Sequence, residues 1–281
     1  MRYGDLFSGT VKKLNEPGRA LDIQVLLERA FSLTRSQFYI KKNDPVLDRR
    51  GLNRFYRWRM RFLRGEPLAY ILREKEFYSR AFYVDRRVLI PRPETELLVD
   101  RAIDWIKGRK SPLRMLDIGT GSGVLAITLA GLTGARVTAV DICPKALAVL
   151  KKNIFRHGLE DRVIPVLADL FPPLPKNREE LFDLMVSNPP YIPEEDWETL
   201  SPGVKDYEPP GALLAATGGM AVIRRIAGRA GAFLKPGGAL FLEFGFGQQG
   251  RVKEVLMGAG FSRLAFFDDY QGIPRIAMAQ V

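Results

Sequence analysis

Hydrophobic and polar residues follow two different spacings along this chain, and the change between them falls near residue 75. Within residues 20–31 the apolar positions recur every three or four residues, as on one face of a helix: Ile23, Leu26, Leu27, Ala30 and Phe31. Another helix is expected to begin with Asp44 as its N-cap and Pro45 in its first turn. Residues 1–75 therefore predict a small helical N-terminal domain.

The segment that follows has the composition of short strands. Glu76–Tyr78 and Phe82–Val84 predict a β-hairpin. Val88–Ile90 predicts a strand that ends at Pro91, because proline cannot continue the hydrogen-bond ladder. Residues 76–90 are thus predicted to be a β-hairpin linker.

From residue 91 to residue 281, apolar strands alternate with helical stretches. Strands are predicted at Met115–Ile118, Val137–Val140, Val163–Leu167, Phe182–Ser187, Ala239–Phe244, Leu264–Phe267 and Ile276–Ala279. Helices are predicted at Glu94–Ile106, Val124–Leu132, Lys145–Phe155, Met220–Leu234 and Arg251–Met257. This alternation is typical of βαβ units, so we expect an α/β fold with a doubly wound, seven-stranded, Rossmann-like sheet. Only a turn separates the last two strands, which predicts an antiparallel last strand.

Composition narrows the chemistry. The 281 residues are 46% hydrophobic and 27% charged, as in soluble globular proteins, and are enough for two domains. Cys143 and His157 are the single cysteine and histidine, which excludes an intrachain disulfide, a cysteine-based zinc site and most catalysis by a histidine base. The sequence shows no signal peptide, and its longest apolar run is far shorter than a membrane span. We expect a cytoplasmic protein with no metal site and no membrane contact.

The positive charge is concentrated in the first domain. The chain has 43 Lys and Arg against 32 Asp and Glu, and residues 1–75 hold 17 of the former and 8 of the latter. Arg49–Arg64 contains seven arginines and no acidic residue. Such a block favours a polyanionic partner such as RNA, but a solvated helix face has the same composition. Both interpretations stay open on the sequence.

A glycine-rich turn follows the first strand of the sheet: Gly119, Thr120, Gly121, Ser122 and Gly123. Glycine lets a ligand approach the backbone, and the N–H groups at the start of the next helix favour polar or anionic ligand atoms. The spacing differs from the Gly-x-Gly-x-x-Gly of pyrophosphate binders. A tight turn between a strand and a helix also uses glycine, so this motif alone does not establish a ligand site. The residues that end the next strands have to be considered together with it.

The next two strands end in carboxylates. Asp141 can accept hydrogen bonds from both ribose hydroxyls of an adenosine ligand, although it could also cap the helix that begins near Pro144. Asp169 can accept from an adenine amino group, while Leu170 and Phe171 offer apolar contact with its face. Together these strand ends predict S-adenosylmethionine as the ligand, with NAD as the weaker choice.

The fourth strand ends in the tetrapeptide Asn188, Pro189, Pro190 and Tyr191. The Asn188 side-chain oxygen and the Pro189 carbonyl can accept the two protons of one planar NH2 group, and Tyr191 offers a ring for stacking. An amide nitrogen is a poor nucleophile, and these hydrogen bonds stabilise the positive charge that develops as it attacks a sulfonium methyl. We expect the proton to leave after transfer. An Asn-Pro turn without function is the competing interpretation.

The chain resembles the PrmC/HemK family of peptide-chain release factor glutamine methyltransferases nearly end to end. Besides the motifs above, the similarity includes Glu66–Ile71, Glu76-Phe77, Leu89–Glu96, Tyr207–Pro209, Glu243–Gly245 with Gln248, and Asp269–Arg275. The string Ile90-Pro91-Arg92-Pro93-Glu94-Thr95-Glu96 is more specific than the tetrapeptide, which DNA methyltransferases share.

The resemblance implies methylation of the glutamine in the Gly-Gly-Gln loop of class I release factors, with S-adenosylmethionine as cofactor. It implies that Gly119–Gly123 and Asp141 bind the cofactor, together with Asp169, Leu170 and Asn188, and that Asn188–Tyr191 hold the glutamine. It also implies that residues 1–75 help to dock the factor and that residues 91–281 form the methyltransferase domain. The family often has Gly at the position of Arg73. It often has Trp at that of Leu170, where Leu170 or Phe171 would replace the aromatic contact with adenine.

Two other functions are compatible with parts of the pattern. An adenine amino group would suit the same acceptors, so a nucleic-acid amino-methyltransferase is the alternative, and a nucleic-acid partner is compatible with the charge but not required. A non-catalytic RNA-binding protein is the third. The Pro- and Gly-rich residues 191–218, with Trp197 and Tyr207, are interpreted as part of the substrate-binding wall. Glu94 and Glu96 favour a helix N-terminus, His157 is expected at the surface, and the chain is expected to be a monomer.

Overall fold

The structure, a computed structural model, describes residues 1–14, 17–109 and 112–281. It divides into a first unit of residues 1–73 and 201–207 and a second unit of residues 74–200 and 208–281. The sequence placed the boundary at residue 75 and assigned all of 91–281 to one domain. Residues 201–207 belong instead to the first unit, where the Tyr207 hydroxyl donates to the Arg64 carbonyl oxygen at 3.0 Å.

The first unit is helical and has its own apolar core. Its helices are α1 (Tyr3–Val11), α2 (Ala20–Ala30), α3 (Arg35–Lys41), α4 (Arg49–Leu63) and α5 (Leu68–Leu72), and a 3-10 turn at Pro17–Arg19 precedes α2. The apolar stripe predicted on α2 is confirmed as buried, and it packs with Phe38, Phe55 and Phe62.

The predicted start of the arginine-rich helix is wrong. Asp48, not Asp44, is the N-cap of α4, and its Oδ1 accepts from the Gly51 N–H at 2.9 Å. Pro45 instead lies in an isolated antiparallel bridge with Arg2. Gly51 is required in this first turn, because a Cβ there would lie 2.4 Å from the Phe31 ring. Both aspartates fit a cap signature, and only tertiary contacts distinguish them.

The arginines of α4 and its C-cap residue, Arg64, lie mostly on one face. Arg50, Arg54, Arg57, Arg61 and Arg64 recur at the three- and four-residue spacing of a single stripe, opposite the buried Phe55 and Phe62. Arg61 is committed to Glu66, since its Nε and Nη2 donate to the two carboxylate oxygens at 2.7 Å each. What the rest of the stripe binds stays a prediction.

The second unit begins with the hairpin, whose register differs from the prediction. The strands are β1 (Lys75–Phe77) and β2 (Arg80–Phe82), joined by Tyr78 and Ser79 with φ of 51° and 56°. A two-residue turn with positive φ matches the twist of a hairpin, so the second strand starts two residues earlier than predicted. No strand forms at Val88–Ile90, because the Ile90 N–H donates to the Glu208 carboxylate at 3.1 Å instead of to a neighbouring strand.

The remaining strands are β3 (Arg114–Ile118), β4 (Arg136–Asp141), β5 (Val163–Leu167), β6 (Phe182–Ser187), β7 (Ile192–Pro193), β8 (Leu214–Ala215), β9 (Leu234–Glu243), β10 (Arg263–Asp268) and β11 (Pro274–Gln280). In the described part of the chain, seven of them form one sheet in the order β10-β11-β9-β6-β3-β4-β5. Strand β11 is antiparallel to both β9 and β10, while β3 to β6 and β9 are parallel. The predicted fold class is confirmed.

The helices of this part of the chain are α6 (Glu94–Ile106), α7 (Val124–Thr133), α8 (Pro144–His157), α9 (Pro202–Lys205, in the first unit), α10 (Ala216–Gly219), α11 (Ala221–Ala230) and α12 (Gln249–Gly258). Short 3-10 turns lie at Arg178–Glu180, Glu194–Thr199 and Pro210–Ala212. Helices α6 to α8 share one buried cluster with the sheet, and α11 and α12 share the other. The strand order reverses at β3, between β4 and β6, which is where α/β sheets bind ligands.

Candidate active site

A cavity of about 510 Å³ opens at the carboxyl ends of β3, β4 and β6. That volume is in the range of pockets that enclose a small-molecule ligand. Its lining includes many of the predicted site residues: Gly119, Thr120, Gly121, Ser122, Asp141, Asp169, Leu170, Asn188 and Pro190. Gly123, Pro189 and Tyr191 belong to the same two segments but are not among the lining residues.

The glycine turn is shaped by its own backbone. Gly119, Gly121 and Gly123 have φ of 72°, 55° and 86°, a region that disfavours side chains. The N–H groups of Gly119 and Thr120 both donate to the Val140 carbonyl oxygen at 2.9 Å, which ties the turn to β4. Gly123 allows close approach of α8, because a Cβ there would lie 2.3 Å from the Leu150 side chain.

Asp117, in the middle of β3, lines the cavity and was not assigned a role from the sequence. It is 1% exposed, and its Oδ2 accepts from the Thr120 hydroxyl at 2.7 Å and the Ala126 N–H at 3.1 Å. Its Oδ1 is buried and has no hydrogen-bond partner within the described residues. Burial raises the pKa of this carboxyl to about 7. A charged residue inside an apolar strand was the signal that could have found it.

Asp141 ends β4, where it lines the cavity and accepts hydrogen bonds from two backbone N–H groups. Its Oδ1 accepts from the Cys143 N–H at 2.8 Å, just before α8, and its Oδ2 accepts from the Gly121 N–H at 2.9 Å. Cys143 is the N-cap of α8, and the binding of ribose by Asp141 stays a prediction. Burial raises the pKa of this carboxyl. The side chain therefore holds the glycine turn against the end of β4 while it faces the cavity.

Of the two large apolar residues that follow β5, Leu170 faces the cavity and Phe171 does not. Leu170 lines the cavity and has a φ of 68°. The Phe171 ring is buried and stacks on Phe233 with the centroids 4.6 Å apart, so the interpretation of Phe171 as an adenine contact is wrong. Asp169 is half exposed and pairs with Arg225 at 2.6 Å.

The tetrapeptide is held at both ends. Asn188 donates through Nδ2 to the Thr95 hydroxyl oxygen at 2.9 Å, and the Tyr191 hydroxyl donates to Glu243 Oε1 at 3.1 Å. Gln248 donates through Nε2 to the Tyr191 carbonyl oxygen at 2.8 Å. Burial and the neighbouring Glu243 raise the pKa of Tyr191, which keeps its hydroxyl a donor.

Thr95 and Glu243 were named from the sequence only as parts of longer strings. Both are buried, and the Thr95 hydroxyl donates to Glu243 Oε2 at 2.7 Å. Burial raises the pKa of Glu243 to about 7. Glu96, assigned to the helix start, accepts from the Tyr78 N–H at 2.8 Å and so anchors the hairpin.

Residues 191–218 are more regular than predicted, since they include β7, β8 and short helical turns. Pro209, Gly211 and Ala212 line the cavity, which is consistent with the predicted wall. Glu208 is buried beside them and pairs with Arg92 at 2.6 Å, joining this segment to the proline-rich string. His157 is half-buried against the Phe82 ring rather than at the surface, and burial lowers its pKa.

Within residues 1–14, 17–109 and 112–281, no helix is both long and apolar enough to cross a bilayer. The same residues contain no group of three or more His, Cys, Asp or Glu side chains that could hold a metal ion.

Comparisons with known proteins agree on one group of enzymes. The profile described as PrmC N-terminal domain matches residues 7–72, and that of Ribosomal protein L11 methyltransferase (PrmA) matches residues 95–209. The release factor glutamine methyltransferase of Bordetella pertussis is 40% identical over 269 residues, covering 94% of this chain and 96% of that protein. That of Chlorobaculum tepidum is 41% identical over 271 residues, covering 94% and 90%.

Among solved structures, the catalytic domain of hMettl16 in complex with MAT2A 3'UTR hairpin 6 has a similar fold. It superposes with a TM-score of 0.58 at 18% identity, over 70% of this chain and 74% of that one. At that identity the similarity concerns the fold alone.

Proposed function

This chain belongs to the family of release factor glutamine methyltransferases, and we propose that it methylates the side-chain amide of the glutamine in the Gly-Gly-Gln loop of class I release factors, with S-adenosylmethionine as methyl donor. The observation that carries the proposal is the orientation of Asn188. Its NH2 group is occupied by Thr95, which leaves its oxygen as an acceptor beside the cavity.

The residues around the glycine turn fit the cofactor. Asp141 offers carboxylate lone pairs for ribose hydroxyls, and Leu170 offers an apolar surface for the adenine. Asp117 presents its buried Oδ1, which has no hydrogen-bond partner among the residues that the structure describes and is an acceptor that suits a cationic amino group. Asp169 and Asn188 complete the predicted contacts at the cavity wall. When bound, S-adenosylmethionine supplies a methyl group on a positively charged sulfur, which becomes a neutral thioether once the methyl has moved to nitrogen.

The tetrapeptide would hold the substrate amide. Asn188 Oδ1 and the Pro189 carbonyl oxygen would accept its two N–H protons and stabilise the positive charge that develops on nitrogen. Pro190 lines the cavity, and Tyr191 is the predicted stacking surface. Since Tyr191 is fixed at its hydroxyl by Glu243 and at its carbonyl by Gln248, these acceptors are preorganised before substrate arrives.

The helical first unit is proposed to dock the release factor, and the arginine stripe of α4 is the candidate contact. Arg50, Arg54 and Arg57 lie on one side of the helix and favour an acidic surface. Reversing Arg50 and Arg57 to Glu should raise the KM for the factor and weaken its salt dependence. Lys253→Glu on α12, an exposed reversal in the second unit, is the matched control. An unchanged KM in the double variant would assign the stripe to solvent.

The proposed activity is tested by methyl transfer from labelled S-adenosylmethionine to a purified class I release factor. The same factor with Gly-Gly-Ala in place of Gly-Gly-Gln is the control. Label on the wild-type factor alone is expected. Label on both factors would place the methyl group elsewhere, and label on added RNA or DNA but on neither factor would contradict the proposal. We expect the enzyme to act as a monomer in the cytoplasm, where peptide chains are released.

A further inference from the structure

The hydrogen bonds around Glu243 form a chain with one direction. Glu243 closes β9 and is 1% exposed, and its two carboxylate oxygens accept from two hydroxyl groups, those of Thr95 at 2.7 Å and Tyr191 at 3.1 Å. An ionised carboxylate can only accept, and a hydroxyl has only one proton to give. Both protons are therefore committed to Glu243.

That commitment decides what Thr95 can offer to Asn188. With its proton donated to Glu243, the Thr95 oxygen presents lone pairs, so the partner on its other side must be a donor. The Asn188 Nδ2 is that partner, at 2.9 Å. The amide oxygen of Asn188 consequently turns away from Thr95. A reversed amide would bring two acceptors together at Thr95 and would present an NH2 group to the NH2 group of the substrate.

We propose that Glu243 and Thr95 are positioning residues, which fix the Asn188 side-chain amide with its oxygen toward the substrate nitrogen. The inference rests on the proposed methylation of a glutamine amide, and it assigns to these residues a role in turnover rather than in cofactor binding. In this proposal they contact neither the methyl group nor the attacking nitrogen, although Thr95 lines the cavity. Their effect is to fix which end of the Asn188 side-chain amide, the oxygen or the NH2 group, faces the substrate.

The ionisation of Glu243 supplies a second signature. The titratable and charged groups that face it are Tyr191 after β6, Glu94 on α6 and Arg275 on β11. Burial raises its pKa to about 7, so lowering the pH converts it from an acceptor into a possible donor. A protonated Glu243 can donate its proton to the Thr95 oxygen. The Thr95 hydroxyl is then free to donate to Asn188, so the hydrogen bonds no longer select one orientation of the Asn188 amide. The turnover number should therefore fall as the pH decreases below about 7.

The test compares Thr95→Val with Thr95→Ser in the full chain, with kcat measured at saturating cofactor and factor. Valine keeps the shape but neither donates nor accepts, so kcat should fall roughly 10- to 100-fold, as for a misplaced catalytic contact. Serine restores the hydroxyl and should recover most of that loss. Affinity for S-adenosylmethionine, measured by calorimetry, should stay close to wild type in both. Thr128→Val is the matched control, because Thr128 is buried in α7 and its hydroxyl has no partner within the described residues.

Two results would overturn the inference: a wild-type kcat in Thr95→Val, or equal losses in the valine and serine variants, which would make the shape of the residue the cause. If Thr95→Val fails to fold, as seen by circular dichroism, Glu243→Gln decides the question through its pH profile. Glutamine does not titrate, so the acid decline of kcat should disappear at saturating cofactor, where protonation of Asp117 acts on cofactor affinity rather than on kcat. Persistence of the decline under that condition would contradict the role. If the wild-type enzyme labels no release factor, the proposed function is refuted. If the wild-type enzyme is active and the variants behave otherwise than expected, only the positioning role is refuted.

Discussion

Two buried carboxylates belong to the candidate site, Asp117 at the glycine turn and Glu243 beside the tetrapeptide, and they make different kinds of contact. Asp117 accepts from the Ala126 N–H and from the hydroxyl of Thr120 in the glycine turn. Its other oxygen has no hydrogen-bond partner within the described chain. Glu243 holds side chains, with one hydroxyl on each oxygen. One carboxylate therefore shapes a loop and has an oxygen left over for a ligand, while the other uses both of its oxygens to hold the hydroxyl groups of Thr95 and Tyr191.

The largest expected effect separates turnover from binding. Asn188→Ala removes the acceptor for the amide proton, and loss of one such preorganised group lowers kcat by roughly 10²- to 10³-fold. Calorimetry should show that most of the cofactor affinity is retained, because Asn188 supplies only one of the predicted contacts and the glycine turn does not depend on its side chain. Circular dichroism should show an intact fold. A variant that turns over normally would remove the tetrapeptide from the chemistry.

The second prediction tests the two buried carboxyl groups by pH. Burial raises the pKa of Asp117 and of Glu243 to about 7, so between about pH 4 and 7 the unfolded chain loses these protons before the folded chain does. Their stabilising contribution is present at low pH and is lost as the pH rises through 7. Asp117→Asn and Glu243→Gln should each reduce that loss by a few kcal/mol, on the order set by about 1.4 kcal/mol per pKa unit.

The measurement is the free energy of unfolding by urea from about pH 4 to pH 7.5, taken as the difference between each variant and wild type. Asp85, whose pKa is lowered to about 2 by Arg87 and Tyr83 despite its burial, acts below this window. A difference that does not change with pH would mean that the carboxyl is already charged throughout the range.

The smallest effect concerns Asp141 at the glycine-turn end. Removing its carboxylate in Asp141→Ala should weaken cofactor binding by about 1.5–3 kcal/mol, the range for lost hydrogen bonds to a charged group. Asp169→Ala, at the half-exposed ion pair with Arg225, is the comparison and should change the affinity less. Equal affinities for Asp141→Ala and wild type, by calorimetry, would refute the ribose assignment.

Local patterns predicted the regular elements well. The bounds of α6 and β5 agree with the prediction, because the apolar spacing and the flanking Pro93 are contained in the segments themselves. The start of α4 was wrong because Asp44 and Asp48 look alike until Gly51 packs against Phe31. The hairpin register was wrong because Tyr78 and Ser79 adopt positive φ without a glycine to announce it.

The site divides in the same way. The glycine turn and the tetrapeptide are continuous strings, and the sequence named every residue in them. The bond between Thr95 and Glu243 joins positions 148 residues apart, and no spacing within the chain points to it. The sequence assigned Phe171 to the ligand because it cannot show that this ring is buried. The burial is against Phe233, and it depends on how α11 leads into β9. The sequence identified the groups that are predicted to contact a ligand, and the fold was needed to identify the groups that hold them.

The membership of residues 201–207 in the helical unit has a consequence for synthesis. A ribosome that has finished residue 73 must add a further 134 residues before residue 207 exists. At about 5–20 residues per second this interval lasts roughly 7 to 27 s. Throughout it the nascent helical unit lacks the hydroxyl that Tyr207 donates to the Arg64 carbonyl, so its final contacts are completed only after β3 to β6 have been made.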